Sequence, residues 1–397
     1  MSKLLVLGAS RYQLPVIRKA RSMGLKVIAA DNDPSSPGRP AADMAFDCDT
    51  TDVQAVAALA EREQVSGVIA PATDAALPAL AEAAARLGLF GPSPEAARVL
   101  SAKVLFRALQ AELGLPAPAC TLFSEPKWPE GLERRGGPWA LKPNRSSGSK
   151  GVFRVTNQEE FLRLAPESLK WSTDSLAVLE DWVEGTQHTC EGVMRGGKAA
   201  GLMLTDRVTA PFPFAATWGH FCPPLGFEAA AAEDLAAQIE AAFKRLGYAD
   251  GPFDCDFVRG KGPKRNVMLE LSPRLGGNSL SALYRVSMKA DIERFAVCLA
   301  CGLPTEFEPR QVPRCAAVIL LGTASRGRLV WDREAASRLQ KEQWVLSFEM
   351  DLPYGAPAEP FTHGRNRAGE ALICGDSPRT TRLLAESFRT RLSMKTA

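Results

Sequence analysis

Phe253-Asp254-Cys255-Asp256-Phe257-Val258 and, beyond a polar turn, Val267-Met268-Leu269-Glu270-Leu271-Ser272-Pro273-Arg274 are the two stretches on which the reading of this chain depends. The first alternates apolar and acidic residues, so Asp254 and Asp256 share one face of a strand. The same period puts Met268, Glu270 and Ser272 on one face of the second. Between them Arg259–Asn266 is polar and carries Gly and Pro, the chemistry of a turn. A hairpin centred near Pro263 sets Asp256 opposite Glu270 and Asp254 opposite Ser272. Like charges directly opposite one another are destabilising unless something compensates them. A hard divalent cation with oxygen ligands compensates them, and Mg²⁺ typically takes one or two carboxylates plus substrate phosphates. The plainer alternative is a pair of solvated acids on an exposed sheet face.

The flanking segments add donors. Arg274-Leu275-Gly276-Gly277-Asn278 follows the acidic strand. An arginine there can hold a phosphoryl oxygen or a carboxylate by two parallel bonds, and two glycines free backbone donors beside it. Upstream, Trp139-Ala140-Leu141-Lys142 reads as a strand ending in a lysine, and Ser146-Ser147-Gly148-Ser149-Lys150-Gly151 as a loop of small residues before a second strand at Val152. Small residues let backbone N–H groups approach an anion, and Lys142 adds a point charge. The spacing is not that of a Walker A loop. Val178-Leu179-Glu180-Asp181-Trp182-Val183 is a strand running into a segment able to present its backbone to a base edge, with Gln187 or His188 where a ribose would lie.

Further out, Leu4–Gly8, Leu25–Ala30 and Val65–Ala70 read as buried parallel strands alternating with helices, including one from Asp74 to Leu87. Gly8 stands alone, so the dinucleotide fingerprint with Asp31 on a ribose is rejected. Ser93-Pro94-Glu95 starts a helix, another runs from about Ser101 to Leu113, and Pro116 and Pro118 mark a linker. The fold class expected is α/β and α+β: a parallel-sheet Rossmann-like domain over 1–115, a second domain over 116–310, and a small α+β lobe over 311–397 whose last helix spans Pro378–Leu392.

Composition narrows the function. With 48 Lys and Arg against 45 Asp and Glu, the balance excludes nucleic acid or an anionic membrane as the main partner. No apolar run reaches the ~18–20 residues that span a bilayer, and the first residues lack the pattern of a secretory signal, so a cytoplasmic protein is expected. Nine scattered cysteines do not form a disulfide framework, and Cys298 and Cys301 lack the second pair a zinc site would need.

Lys103, Lys142 with its loop, Glu180–Gln187, Asp256 and Glu270-x-Ser272-Pro273-Arg274 occur in a fixed order, and in that order the chain resembles the ATP-grasp superfamily of carboxylate–amine ligases. It looks most like the branch with a biotin-carboxylase-type layout, which includes bacterial L-amino-acid ligases and purine-pathway ligases. The resemblance covers essentially the whole chain and implies a mobile lid subdomain at about 116–185 within the second domain. It implies that Lys103 and Lys142 contact ATP phosphates, that Ser146–Gly151 (Ser146, Ser147, Gly148, Ser149 and Gly151 above all) form the lid over them, and that Glu180 and Val183 read the adenine edge. Met268 is grouped with these nucleotide residues, and Gln187 falls where many members have a ribose-binding Glu. Asp256 and Glu270 match the metal carboxylates. Ser272 stands where the family has a metal-binding Asn; a Ser hydroxyl is a poorer ligand, so the resemblance implies water or Asp254 beside it in the metal's shell. Arg274 matches the arginine that steadies the transferred phosphoryl group. The cofactors implied are ATP and Mg²⁺, with Mn²⁺ as a substitute.

The expected reaction moves the γ-phosphoryl of ATP onto a small carboxylate, an amino acid for preference. An amine then displaces the phosphate, giving an amide or peptide bond. Positioning and charge neutralisation suffice for this, and Arg274 and Lys142 carry it. Substrate choice is expected in Asp206–Phe227, with Asp206, Arg207 and His220 foremost, and at Arg274, Gly276, Gly277 and Asn278. The partners are small-molecule carboxylates and amines, and a homodimer is expected by resemblance. The alternatives are a purine-pathway-like ligase or carboxylase, and an ATP-binding module without catalysis.

Overall fold

The computed structural model describes residues 2–132, 136–210, 214–260 and 266–397. The tip of the hairpin around Pro263 and Pro211–Pro213 of the expected substrate segment lie outside the described residues.

The N-terminal part alternates as its apolar runs require. β1 (Lys3–Leu7), α1 (Leu14–Ser22), β2 (Lys26–Ala30), β3 (Met44–Phe46), α2 (Val53–Glu63) and β4 (Gly67–Ile69) build a parallel sheet of order β3-β2-β1-β4. Asp31 turns inward to its own chain, accepting the Ala9 N–H at 2.6 Å and the Asp33 N–H at 2.8 Å. Both bonds tie it to the loops after β1 and β2. α3 (Leu77–Leu87) and α4 (Pro94–Leu100) follow, the latter capped by Ser93 Oγ, which accepts the Ala96 N–H at 3.1 Å. α5 (Lys103–Glu112) begins after Ala102, which has no capping side chain. Asn144 does that work from the next unit, accepting the Lys103 N–H on its carbonyl and the Val104 N–H on Oδ1, both at 3.1 Å.

β5 (Cys120–Phe123), β6 (Trp139–Pro143), β7 (Phe153–Val155) and β8 (Ala177–Asp181) form a separate antiparallel sheet of order β5-β8-β6-β7, backed by α6 (Gln158–Lys170). Its core is aromatic: Trp128 packs edge-on to both Trp139 and Phe161 with ring centroids 5.3 Å apart.

The third unit is an antiparallel sheet of eight strands. β9 (Thr186–Arg195), β10 (Lys198–Thr209) and β11 (Thr217–Cys222) precede α7 (Ala229–Arg245), and β12 (Gly251–Arg259) and β13 (Asn266–Ser272) follow it. After α8 (Leu280–Met288) and α9 (Ile292–Ala300) the chain returns as β14 (Ala316–Leu321), β15 (Gly327–Val330), α10 (Arg333–Leu339), β16 (Val345–Met350), β17 (Pro357–Ala358), β18 (Gly369–Cys374), α11 (Pro378–Leu392) and β19 (Lys395–Thr396). The sheet order is β13-β12-β9-β10-β11-β14-β18-β16. Residues past 310 therefore extend the central sheet through β11–β14 pairing, with Phe221 opposite Ala317. In that region β17, β15 and β19 make a small sheet of their own. No helix among the described residues is long and apolar enough to cross a membrane, and all nine cysteines are free.

Candidate active site

β12 and β13 pair antiparallel with Asp256 opposite Glu270 and Asp254 opposite Ser272, the register expected from alternation. One feature departs from it. The register slips between Asp256 and Phe257, so that Phe257 faces Met268 and Leu269 becomes the extra residue of a bulge. The bulge takes Met268 off the face of Glu270. Its side chain is fully buried in the core with Phe106, Leu109 and Phe257, while Leu269 turns to the cleft. Met268 is therefore corrected from a nucleotide residue to a core residue.

Each acid of the pair already has a cation. Lys103 Nζ lies 2.8 Å from Glu270 Oε1, and Arg207 Nη1 lies 2.7 Å from Asp256 Oδ2. Thr189 Oγ1 donates to Asp256 Oδ1 at 2.5 Å. Burial alone would raise the Glu270 carboxyl, but Lys103, then Lys142 and Arg207, outweigh it and hold it down at about 2. Among the described residues no group of three His, Cys, Asp or Glu side chains converges as a metal cage. The donor chemistry still fits Mg²⁺, which needs only one or two protein carboxylates when phosphates and water complete the shell.

Lys142 stands on β6 two residues beyond Ala140, the cross-strand partner of Glu180, so both side chains share a face. Its Nζ is 2.7 Å from Glu180 Oε2, and Arg107 Nε is 2.8 Å from Oε1. Burial would raise Glu180, yet Arg107 and then Lys142 outweigh it and hold it at about 2. Arg107 is one helical turn beyond Lys103 on α5, a spacing that marks a shared face. The sequence reading passed over it.

These groups line one cleft of about 1500 Å³ including its open mouth, between the N-terminal unit, the small sheet and the eight-stranded sheet. Lys103, Lys142, Ser146, Ser147, Gly148 and Ser149 line it from the expected nucleotide set, as do Glu180, Val183 and Gln187. Arg207, Asp256, Glu270, Arg274, Gly277 and Asn278 line it from the central sheet and the loop after β13. Ser149 accepts a bond from Arg207 Nη2 at 3.3 Å, which ties the small-residue loop to the acid pair. Tyr12, Ala72 and Asp74 reach in from the N-terminal unit.

Five further expectations are corrected. Gly151 lies behind the loop, where a Cβ would come within 3.1 Å of Pro143 Cγ and Ser168 Cα. The Ser272 hydroxyl is not offered to a metal; it donates to Asp74 Oδ1. Gly276 packs over Glu191, donating its N–H to Oε1 at 3.1 Å. Asp206 faces away from its neighbour Arg207, because successive strand residues point to opposite faces. It accepts the Leu225 N–H at 2.8 Å and bonds Arg382. His220 faces as Arg207 does, being its cross-strand partner, but is buried against Thr205 Oγ1 at 3.1 Å. Burial, then Arg207, lower its pKa to about 3. It is a neutral packing residue.

The chain matches no protein-family model. It is 28% identical over 337 residues to carnosine synthase 1 of Homo sapiens, a match covering 76% of this chain and 40% of that protein. The chain thus spans less than half the length of that relative. It is 26% identical over 399 residues to the formate-dependent phosphoribosylglycinamide formyltransferase of Synechococcus sp. (strain RCC307), covering 94% of this chain and 92% of that one. The crystal structure of L-amino acid ligase from Bacillus licheniformis superposes with a TM-score of 0.80 over 100% of this chain and 98% of that chain, at 18% identity. The cleft is lined by Lys103 and Lys142 and by residues of both the small antiparallel sheet and the larger one. The chain has the ATP-grasp fold, in the full-length layout of that ligase.

Proposed function

We propose that the protein is an ADP-forming carboxylate–amine ligase that activates a small carboxylic acid, for preference an amino acid, as an acyl phosphate. The observation that carries this is the Asp256–Glu270 pair set face to face in the same cleft as Lys103 and Lys142. In this reading Lys103 and Lys142 take the ATP phosphates, and Ser146–Ser149 close over them with backbone N–H groups. Asp256 and Glu270 would hold Mg²⁺, or Mn²⁺ in its place, which when bound draws charge from the phosphate oxygens. Glu180 holds Lys142 in line. Arg274 steadies the γ-phosphoryl while a carboxylate oxygen bonds to phosphorus and the bond to the β–γ bridging oxygen breaks, releasing ADP. The amine then bonds to the acyl carbon, the C–O bond to phosphate breaks, and the amine loses a proton. No protein nucleophile is needed. In this reading Arg207, freed from Asp256, and Asn278 receive the acid.

The near full-length match to a formyltransferase supports a second reading, in which the acid or amine belongs to purine chemistry. Formate and phosphoribosylglycinamide therefore join a pool of amino acids in the test. ADP release is followed with ATP and Mg²⁺, and products are identified by mass spectrometry. The expected product is a condensate of one acid and one amine less one water. Glu270→Ala should lower kcat at least about 100-fold while ADP affinity changes far less. Absence of ADP with every pair, or full activity in Glu270→Ala, would refute the proposal.

A further inference from the structure

The N-terminal unit sends one carboxylate across 200 positions of sequence into the cleft, and that carboxylate does not face open space. Asp74 Oδ1 accepts Arg274 Nε at 2.9 Å and Oδ2 accepts Nη2 at 2.6 Å, a two-pronged pair buried on both sides. Ser272 donates its hydroxyl to the same Oδ1. Asp254 Oδ2 and the Leu275 carbonyl take Nη1 at 2.9 and 3.0 Å. Four of the five guanidinium N–H groups are thus used, and one on Nη2 is left for whatever enters. The loop carrying Asp74 is itself held down. Ala72 donates its N–H to the Leu275 carbonyl at 2.9 Å, and Gln13 Nε2 donates to the Pro71 carbonyl at 2.6 Å. Ala72 has φ 58°, a conformation an L residue keeps only where its surroundings hold it.

We infer that Asp74 is a positioning residue: it clamps Arg274 from the N-terminal unit so that a single, fixed Nη2 N–H is aimed at the transferred group. The inference rests on the ligase reading above. An arginine on a loop after a strand end has many rotamers. A bidentate carboxylate removes them before substrate arrives, and orientation fixed in advance is what speeds a transfer with no covalent help from the protein. Ser272 completes the arrangement, since its short side chain leaves room for Asp74 and supplies the bond that orients it.

Two readouts in the full chain test this. One is hydrogen exchange of the Arg274 Nε–H by NMR, assigned by its loss in Arg274→Lys. It should be protected in the wild type and exchange rapidly in Asp74→Asn. The other is kinetics. Asp74→Asn should lower kcat by about 100-fold with every KM nearly unchanged, because the clamp acts on the transition state alone. Introduced into Arg274→Lys, the same change should cost less than about twofold more, since the two residues act as a unit. A raised KM for one substrate with kcat intact would mean that Asp74 touches that substrate, and the inference falls. It falls also if the Nε–H exchanges freely in an active wild type, or if the two losses multiply. A wild type without turnover on any pair sinks the ligase reading, whereas a protected Nε–H in that same protein still shows the clamp.

Discussion

Glu180 is a buried carboxylate between two cations, Arg107 and Lys142, and none of the three can be removed without leaving charge stranded. Breaking such a group by deleting one partner typically costs roughly 3–5 kcal/mol. Glu180→Ala should lose stability on that scale in urea unfolding, where an exposed acid such as Glu184 loses almost nothing. The pH dependence has a definite sign. The folded carboxyl sits at about 2 against an ordinary 4.5, so its contribution is fully present above about pH 4.5 and is lost as the pH falls toward 2. Glu180→Gln should lack this component of acid unfolding, which is worth roughly 3 kcal/mol in the wild type. The resemblance assigned Glu180 to the adenine edge. Its two ion pairs support a different task, holding Lys142 in place.

At the scale of elements, the loop Ser146–Gly151 is poised by its two neighbours. Gly148 accepts the Gly364 N–H at 3.3 Å from the turn after β17, and Arg207 binds Ser149 from below. Lys150 on this loop lies over the Trp171 ring at 5.3 Å; burial, then the charge of Arg365, lower its pKa to about 8. The charged form thus prevails below pH 8 and fades above it. If the loop closes on ATP, kcat/KM for ATP should fall as the pH rises through about 8, and Lys150→Arg should keep its value there, because kcat/KM reports groups of the free enzyme. A flat profile in the wild type would exclude Lys150 from nucleotide capture. The β12–β13 hairpin teaches a different lesson at this scale. Alternation gives the register as far as Asp256, and the bulge at Leu269 then reverses faces. A bulge leaves no mark in a pattern of period two until the pairing is seen.

For the whole molecule, the central sheet joins the C-terminal strands β14, β18 and β16 to the strands that line the cleft. Ile319 of β14 is fully buried between β11 and β18, opposite Gly219 and Ala371. Ile319→Ala should cost about 2–5 kcal/mol. Fluorescence and circular dichroism should report the loss as one coincident urea transition for the sheet. Separate transitions would show that residues past 310 fold as a body of their own.

Sequence alone settled the local pieces: the parallel N-terminal strands, the helix cap at Ser93, and the facing of Asp256 and Glu270. Each of these depends on residues near in the chain, through alternation, capping bonds or turn chemistry. Lys103, Lys142 and Arg274 were legible as charges in search of a ligand. What those charges do to one another was not. That Asp74 holds Arg274, that Arg107 and Lys142 share Glu180, and that β14 joins β11 are contacts between segments tens to hundreds of residues apart. Such contacts follow from how layers pack, and no local periodicity encodes them.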